Sequence, residues 1–245
     1  MAISKNKLKD LASYRMMKRC EEEGVYVVEG VKMADEALAS GATVRVVCAT
    51  AEWYSSHNAE SAAEQYEVGA AELERISLMK KPNQVWMLLE RQPVLALPAS
   101  ASPLVVALDR LQDPGNMGTI MRTADWFGVR RIVASLDTVS CFNPKVVQAS
   151  MGAIFRTQVE YTDLAPWLSA CGMPVYGASL QGRPLPEMDL PGQAAVLLIG
   201  NESQGISSEV MRHVTHPVLI PNVGGTAESL NAAVAAGILM NHFCN

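Results

Sequence analysis

Three loops rich in glycine and asparagine carry the side chains of this 245-residue chain best suited to chemistry. The first is Asp113-Pro114-Gly115-Asn116-Met117-Gly118, which runs into a helical stretch bearing Arg122. Asn116 offers a donor and an acceptor, and Arg122 a rigid fork of donors suited to a phosphate or an activated hydroxyl. About one and a half turns apart on a helix, they can address one cleft. The same residues would equally make a helix N-cap and a surface arginine. The second loop, Ile199-Gly200-Asn201-Glu202-Ser203-Gln204-Gly205, follows the apolar run AAVLLIG. Its glycines let backbone approach a flat ligand, and the Glu202 carboxylate can orient a neighbouring Asn or Arg. A plain strand-to-helix turn has the same composition, and the G-x-G-x-x-G spacing of a dinucleotide site is missing. The third, from Ile220 through Gly224-Gly225 to Ser229, Leu230 and Asn231, places free backbone donors and short polar side chains before a helix. A tight turn with ordinary capping would also account for it.

These loops need strands and helices to hold them. LVVALD, RRIVAS, AAVLLIG and HPVLIP read as strands, and MGTIMRTADWFG and ESLNAAVAAGILMNHF as helices. This is the alternation of a parallel sheet covered by helices, in which ligands sit beyond the carboxyl ends of the strands. Upstream, VYVVEG and TVRVVCAT read as strands and KMADEALAS and AAELERISLM as helices, a smaller α/β module. Between them QPVLALPASASP, with three prolines, breaks any periodic pattern. We expect a domain over residues 1–92, a linker over 93–102 and a second domain over 103–245.

Composition narrows the classes. Hydrophobic residues make up 49% and charged residues 18%, which fits a folded protein and not a disordered tail. Five scattered cysteines without a C-x-x-C pair fit reduced thiols, with no disulfide framework or metal site. His213 and His216 lack acidic or thiol partners for zinc. The start lacks a signal-peptide apolar run, and no apolar stretch reaches membrane-spanning length, so a cytoplasmic protein without a membrane role is expected. The net charge of −5 has the wrong overall sign for gripping nucleic acid. Local clustering offsets it: Lys5, Lys7, Lys9, Arg15, Lys18 and Arg19 fall in one early segment.

Taken together and in this order, the three loops resemble the signature of the SpoU, or TrmH-like, family of the SPOUT superfamily of RNA methyltransferases. The likeness includes Asn143-Pro144-Lys145-Val146-Val147-Gln148-Ala149-Ser150-Met151-Gly152-Ala153 and covers most of residues 103–245. Residues 1–92, with Val28-Glu29-Gly30 as their clearest mark, more loosely resemble the family's small substrate-binding module, similar to a ribosomal-protein fold. Two positions depart from the family pattern: Ser203, often a small residue such as glycine, and Gln148, often an arginine.

The resemblance implies an α/β trefoil-knot methyltransferase domain with a parallel sheet. It implies S-adenosylmethionine as methyl donor, no metal, RNA as substrate (ribosomal RNA ahead of transfer RNA), and a homodimer. The reaction would methylate a ribose 2′-hydroxyl; a knot-fold protein that binds RNA without turnover is the alternative. By motif position, Asn116, Arg122, Glu202, Ser229 and Asn231 would be catalytic. Leu198, Ile199, Gly200, Gly205, Ile220, Ser229 and Leu230 would line the cofactor pocket. Lys7, Lys9, Arg15, Lys18, Lys145 and Ser150 would contact RNA. Arginine being a poor base, orientation and charge stabilisation are the expected roles of Arg122.

Overall fold

A computed structural model describes residues 3–94, 104–188 and 194–244; most of the expected linker, 95–102, lies outside them. Two compact units are formed, one from Met1–Pro93 with Phe142–Phe155, the other from Val94–Cys141 with Arg156–Asn245.

In the first unit the elements are α1 (Lys5–Ala12), α2 (Met17–Glu22), β1 (Val25–Glu29), α3 (Val31–Ala39), β2 (Val44–Ala49), α4 (Ala51–Ser56), β3 (Glu64–Glu67), α5 (Ala70–Ile76) and β4 (Val85–Glu90). The sheet order is β1-β4-β2-β3, with β4 antiparallel to both neighbours and β3 parallel to β2. Alternation sends Val25 and Val27 to one face, with Leu8, Leu11 and Trp86, and Tyr26 and Val28 to the other, with Met33 and Trp53. Burying both faces explains why the VWMLL run of β4 is continuously apolar and shows no period of two.

The second unit holds β5 (Leu104–Leu108), α6 (Pro114–Trp126), β6 (Arg131–Ser135), β7 (Gln158–Thr162), α8 (Leu164–Ala170), β8 (Val175–Pro184), β9 (Ala195–Ile199), α9 (Ser208–Met211), β10 (His216–Leu219) and α10 (Ala232–Cys244). Its six strands are all parallel, in the order β10-β8-β9-β5-β6-β7. The central pair β5 and β9 is wholly buried. This is the helix-covered parallel sheet read from the sequence.

The remaining helix, α7 (Pro144–Ser150), belongs to the first unit, where Val147 joins the Met33 and Trp53 core. Asn143 caps it, and the left-handed Met151 and Gly152 end it. Ser150 is fully buried and donates to Val147 O at 2.7 Å, so its hydroxyl is spent inside the fold and cannot reach RNA from this position. One boundary also differs from the sequence reading. Residues 228–231 are not helical, because Asn231 is the cap that starts α10 and not a residue within it.

Candidate active site

The β5–α6 connection begins with a strained residue. Arg110 has φ +55, uncommon outside glycine, and is held there on both sides. Its N–H donates to Ser135 Oγ at 2.8 Å, and its carbonyl accepts from Asn201 Nδ2 at 2.8 Å. Its guanidinium reaches Gln204 Oε1 at 3.0 Å. Beside it the buried Asp109 accepts from Ser207 N–H at 2.6 Å. The loops after β5 and β9 are thereby fastened at the carboxyl ends of the two central strands, where a parallel sheet binds its ligands.

The loop after β9 is built by Asn201. Its backbone pairs with Gly205 in both directions, at 3.0 and 2.9 Å. Its Oδ1 accepts from Ser203 N–H, Ser203 Oγ and Gln204 N–H, and its Nδ2 anchors the loop to Arg110. Ser203 therefore supplies an extra internal tie where the family pattern often has glycine. Gly200 is required by the turn itself, since a Cβ there would stand 2.2 Å from Gly205 C and Ile206 N. Gly205 is required by its φ of +66. Neither glycine needs a ligand to explain it, a cause different from the backbone approach to a flat ligand read from the sequence.

The turn presents Glu202 to Asn116. Asp113 caps α6 by accepting from Asn116 N–H at 2.7 Å, and Pro114 opens the first turn. Asn116, 8% exposed, then donates through Nδ2 to Glu202 Oε1 at 2.9 Å. From the other side, Asn231 Nδ2 donates to Asn116 Oδ1 at 2.9 Å. The direction of this chain is fixed by helix capping. Asn231 Oδ1 accepts from Ala233 and Val234 N–H at the start of α10, so only its amide NH2 can face Asn116. Asn116 must then turn its oxygen to Asn231 and its NH2 to the carboxylate. Three residues 115 positions apart at the extremes thus form one polar relay.

Arg122 stands apart. At 100° per residue, six positions along α6 rotate its side chain roughly 120° away from Asn116. It lies on the exposed stripe with Thr119 and Trp126, without a hydrogen bond or ion pair among the described residues. Ser229 is exposed in the 220–231 loop and is not bonded to the relay. In that loop Asn222, which the sequence reading passed over, is the organiser. It accepts from Gly224 and Gly225 N–H and donates to Gly225 and Ala227 carbonyls. An asparagine two and three residues before paired glycines was the available signal.

Of the expected pocket residues, Leu198 and Ile199 are buried in β9, so they can offer only backbone to a ligand there. Leu230 is 47% and Val223 98% exposed, apolar surface without cover in a loop rich in backbone donors. Glu228, exposed in the same loop, is its one charged side chain. Among the described residues no three His, Cys, Asp or Glu side chains converge as a metal site would require, and His216 is taken up by Thr215 and a stack on Tyr176.

In the first unit, Lys7 is bound to Glu64 at 2.7 Å and lies over the Tyr66 ring, so its charge is already matched. Lys18 faces Glu22 at 3.9 Å. Lys9, Arg15 and Lys145 are exposed and without an ion pair among the described residues.

Comparison with known proteins agrees with this geometry. Residues 103–241, over half of the chain, match the SpoU rRNA Methylase family, and residues 5–86 match the MRM3-like substrate binding domain. The chain is 30% identical over 240 residues to the 23S rRNA (guanosine(2553)-2′-O)-methyltransferase RlmP of Bacillus subtilis, covering 96% of this chain and 95% of that one. Its fold is similar to a TrmH-family structure from Porphyromonas gingivalis (TM-score 0.87, 36% identity, 99% of this chain and 98% of that one). It is also similar to an AdoMet-bound rRNA methyltransferase from Sinorhizobium meliloti (TM-score 0.85, 28% identity, 99% and 95%). With the motif loops gathered at the carboxyl ends of a parallel sheet and matches along nearly its whole length, the chain belongs to the SpoU rRNA methylase family.

Proposed function

We propose that this protein is an S-adenosylmethionine-dependent methyltransferase acting on a ribose 2′-hydroxyl of ribosomal RNA in the cytoplasm. The observation that carries the reading is the Asn231–Asn116–Glu202 relay, which ties all three motif loops together at the strand ends. The full-length relative RlmP, named for ribose methylation of 23S rRNA, supports the substrate class. The cofactor would be held by Leu198, Ile199, Gly200, Gly205, Ile220, Ser229 and Leu230, and supplies an electrophilic methyl when bound. This chain's residues position the nucleophile. The relay fixes the loops after β5, β9 and β10 relative to one another. Arg122, exposed and uncommitted, orients the 2′-oxygen and stabilises charge developing on it, while the departing proton passes to water or a neighbouring phosphate. The relay is neutral apart from Glu202, and no protein base is assigned.

The reading includes a C-terminal segment threaded as a trefoil knot, supported by likeness to the TrmH-family structure. It also includes a homodimer, supported by an apolar row on packed helices α6 and α10: Trp126 (85% exposed), Val234 (51%) and Ile238 (38%). No helix among the described residues is long and apolar enough to cross a membrane. Incubating the protein with methyl-labelled S-adenosylmethionine and unmodified 23S rRNA transcript should label one nucleotide at its 2′-oxygen. Label found on no RNA, or on a base, would contradict the proposal.

A further inference from the structure

The cations of the first unit are not equally committed. Lys7, Lys18, Arg19 and Arg45 are each paired with carboxylates, and Arg91 donates to Val25 O. Lys5, Lys9, Arg15, Lys32, Arg75, Lys80, Lys81 and Lys145 are exposed and have no ion pair among the described residues. Of these, the topology brings Lys32, Lys80 and Lys81 to one strand end, where Arg15 is close enough to act on the Glu29 carboxyl. Glu29, at the end of β1, accepts from Ser77 Oγ and from Leu78 N–H at 2.9 Å, which pins the start of the 77–84 segment to the strand end. The other end of that segment is pinned nearby: Gly30 N–H donates to Val85 O at 3.0 Å and Thr50 N–H to Gln84 O at 2.9 Å. Lys80 and Lys81 are therefore held in a short arch beside Gly30 and Lys32.

The carboxylate at the centre of this arch does not cancel its charge at the surface. Glu29 is only 6% exposed, and burial pushes its carboxyl upward, against the pull of its two hydrogen bonds and of nearby Arg15. The acid is internal and the cations are external. Next to them α3, nine residues long, follows Gly30, whose φ is +91, and its first-turn N–H groups have no side-chain cap.

We propose that Arg15, Lys32, Lys80 and Lys81, arranged around the Glu29-anchored arch, form the surface through which the first unit holds the phosphate backbone of its RNA. This rests on the RNA substrate proposed above and moves the contact away from Lys7 and Lys18, whose charges are matched. Four cations on one fixed loop and its flanks, without an ion pair among the described residues, suit adjacent phosphates.

The test is filter binding of an unmodified 23S rRNA transcript to the full-length protein across a salt series, with methyl transfer measured in parallel. Lys80→Gln with Lys81→Gln should make the plot of log affinity against log salt shallower by about 1.4 to 1.8, and raise the RNA KM roughly tenfold. Single-turnover methyl transfer at saturating RNA and S-adenosylmethionine affinity should stay at wild-type values, which also shows that the variant is folded. Lys32→Gln should act in the same direction by about half as much in slope. Arg212→Gln, the same single loss of charge as Lys32→Gln but on the other unit, should leave the slope unchanged. An unaltered slope in the double variant, or a change in Lys32→Gln that Arg212→Gln matches, would overturn the proposal while leaving the methyltransferase reading intact. A wild-type protein that binds the transcript with the expected slopes but methylates nothing would overturn that reading and leave the surface in place.

Discussion

Asn231 does two jobs with one amide, and they can be separated. Its Oδ1 caps α10 and its Nδ2 donates to Asn116. Asn231→Asp keeps an acceptor for the cap but loses the donor, and sets a second carboxylate against an amide already committed to Glu202. Losing this part-buried hydrogen bond should lower stability by only about 1 kcal/mol, while misplacement of the loops it ties lowers kcat about tenfold to a hundredfold. Wild-type kcat with a lowered melting temperature would show that the relay is only structural. Arg122 makes the complementary case. Arg122→Ala should abolish most methyl transfer with S-adenosylmethionine affinity preserved, and Arg122→Lys should rescue little, because lysine keeps the charge but not the planar fork. Calorimetry on both variants, paired with single-turnover rates, separates the two effects. Asn116, Glu202 and Asn231 were legible as residue types in loops. Their order in the relay was not, because it depends on which atoms the helix caps consume.

At the scale of elements, the β9 turn is the most constrained piece of the second unit. Gly200→Ala would push a Cβ into the Gly205 backbone, and backbone cannot yield as a flexible side chain can. We expect a loss of about 1–3 kcal/mol in urea unfolding together with lost activity. A stable variant that merely binds cofactor less well would instead favour a ligand-filled space at Gly200. In the first unit burial pushes the Tyr54 hydroxyl and the Cys48 thiol up to about 12. Burial and the Glu23 contact do the same for Tyr14. Tyr66 rises to about 12 through its bond to Glu64, then burial. Folded values above unfolded ones mean that the unfolded chain loses these protons first. This contribution is therefore intact below about pH 9 and is lost as pH climbs through roughly 10 to 12. Absorbance at 295 nm, with Tyr→Phe variants to assign the steps, should show Tyr14, Tyr54 and Tyr66 ionising only as the fold is lost. Ionisation of these three near pH 10 in folded protein would contradict this placement. Strands were read correctly where apolar runs met loops rich in Gly, Asn and Pro, as at β5, β9 and β10. The 228–231 segment was read as helix because its residues tolerate helix and no local signal announces that Asn231 is spent as the cap.

For the whole molecule, two α/β units and a parallel sheet followed from alternating strand-like and helical segments. That Phe142–Phe155 folds with the first unit was not legible, because Val147 and Phe142 carry no mark of which core they will join. Family membership rested on the joint appearance of three loops, each of which alone had an ordinary structural explanation. The central claim is that these loops deliver a methyl group to a ribose 2′-oxygen, and its sharpest test changes one atom of the substrate. A 23S rRNA fragment carrying a 2′-deoxy nucleotide at the mapped target should bind as the ribose form does and accept no methyl group, since the nucleophile is gone. Equal methylation of the deoxy and ribose fragments would place the modification on the base and contradict the account.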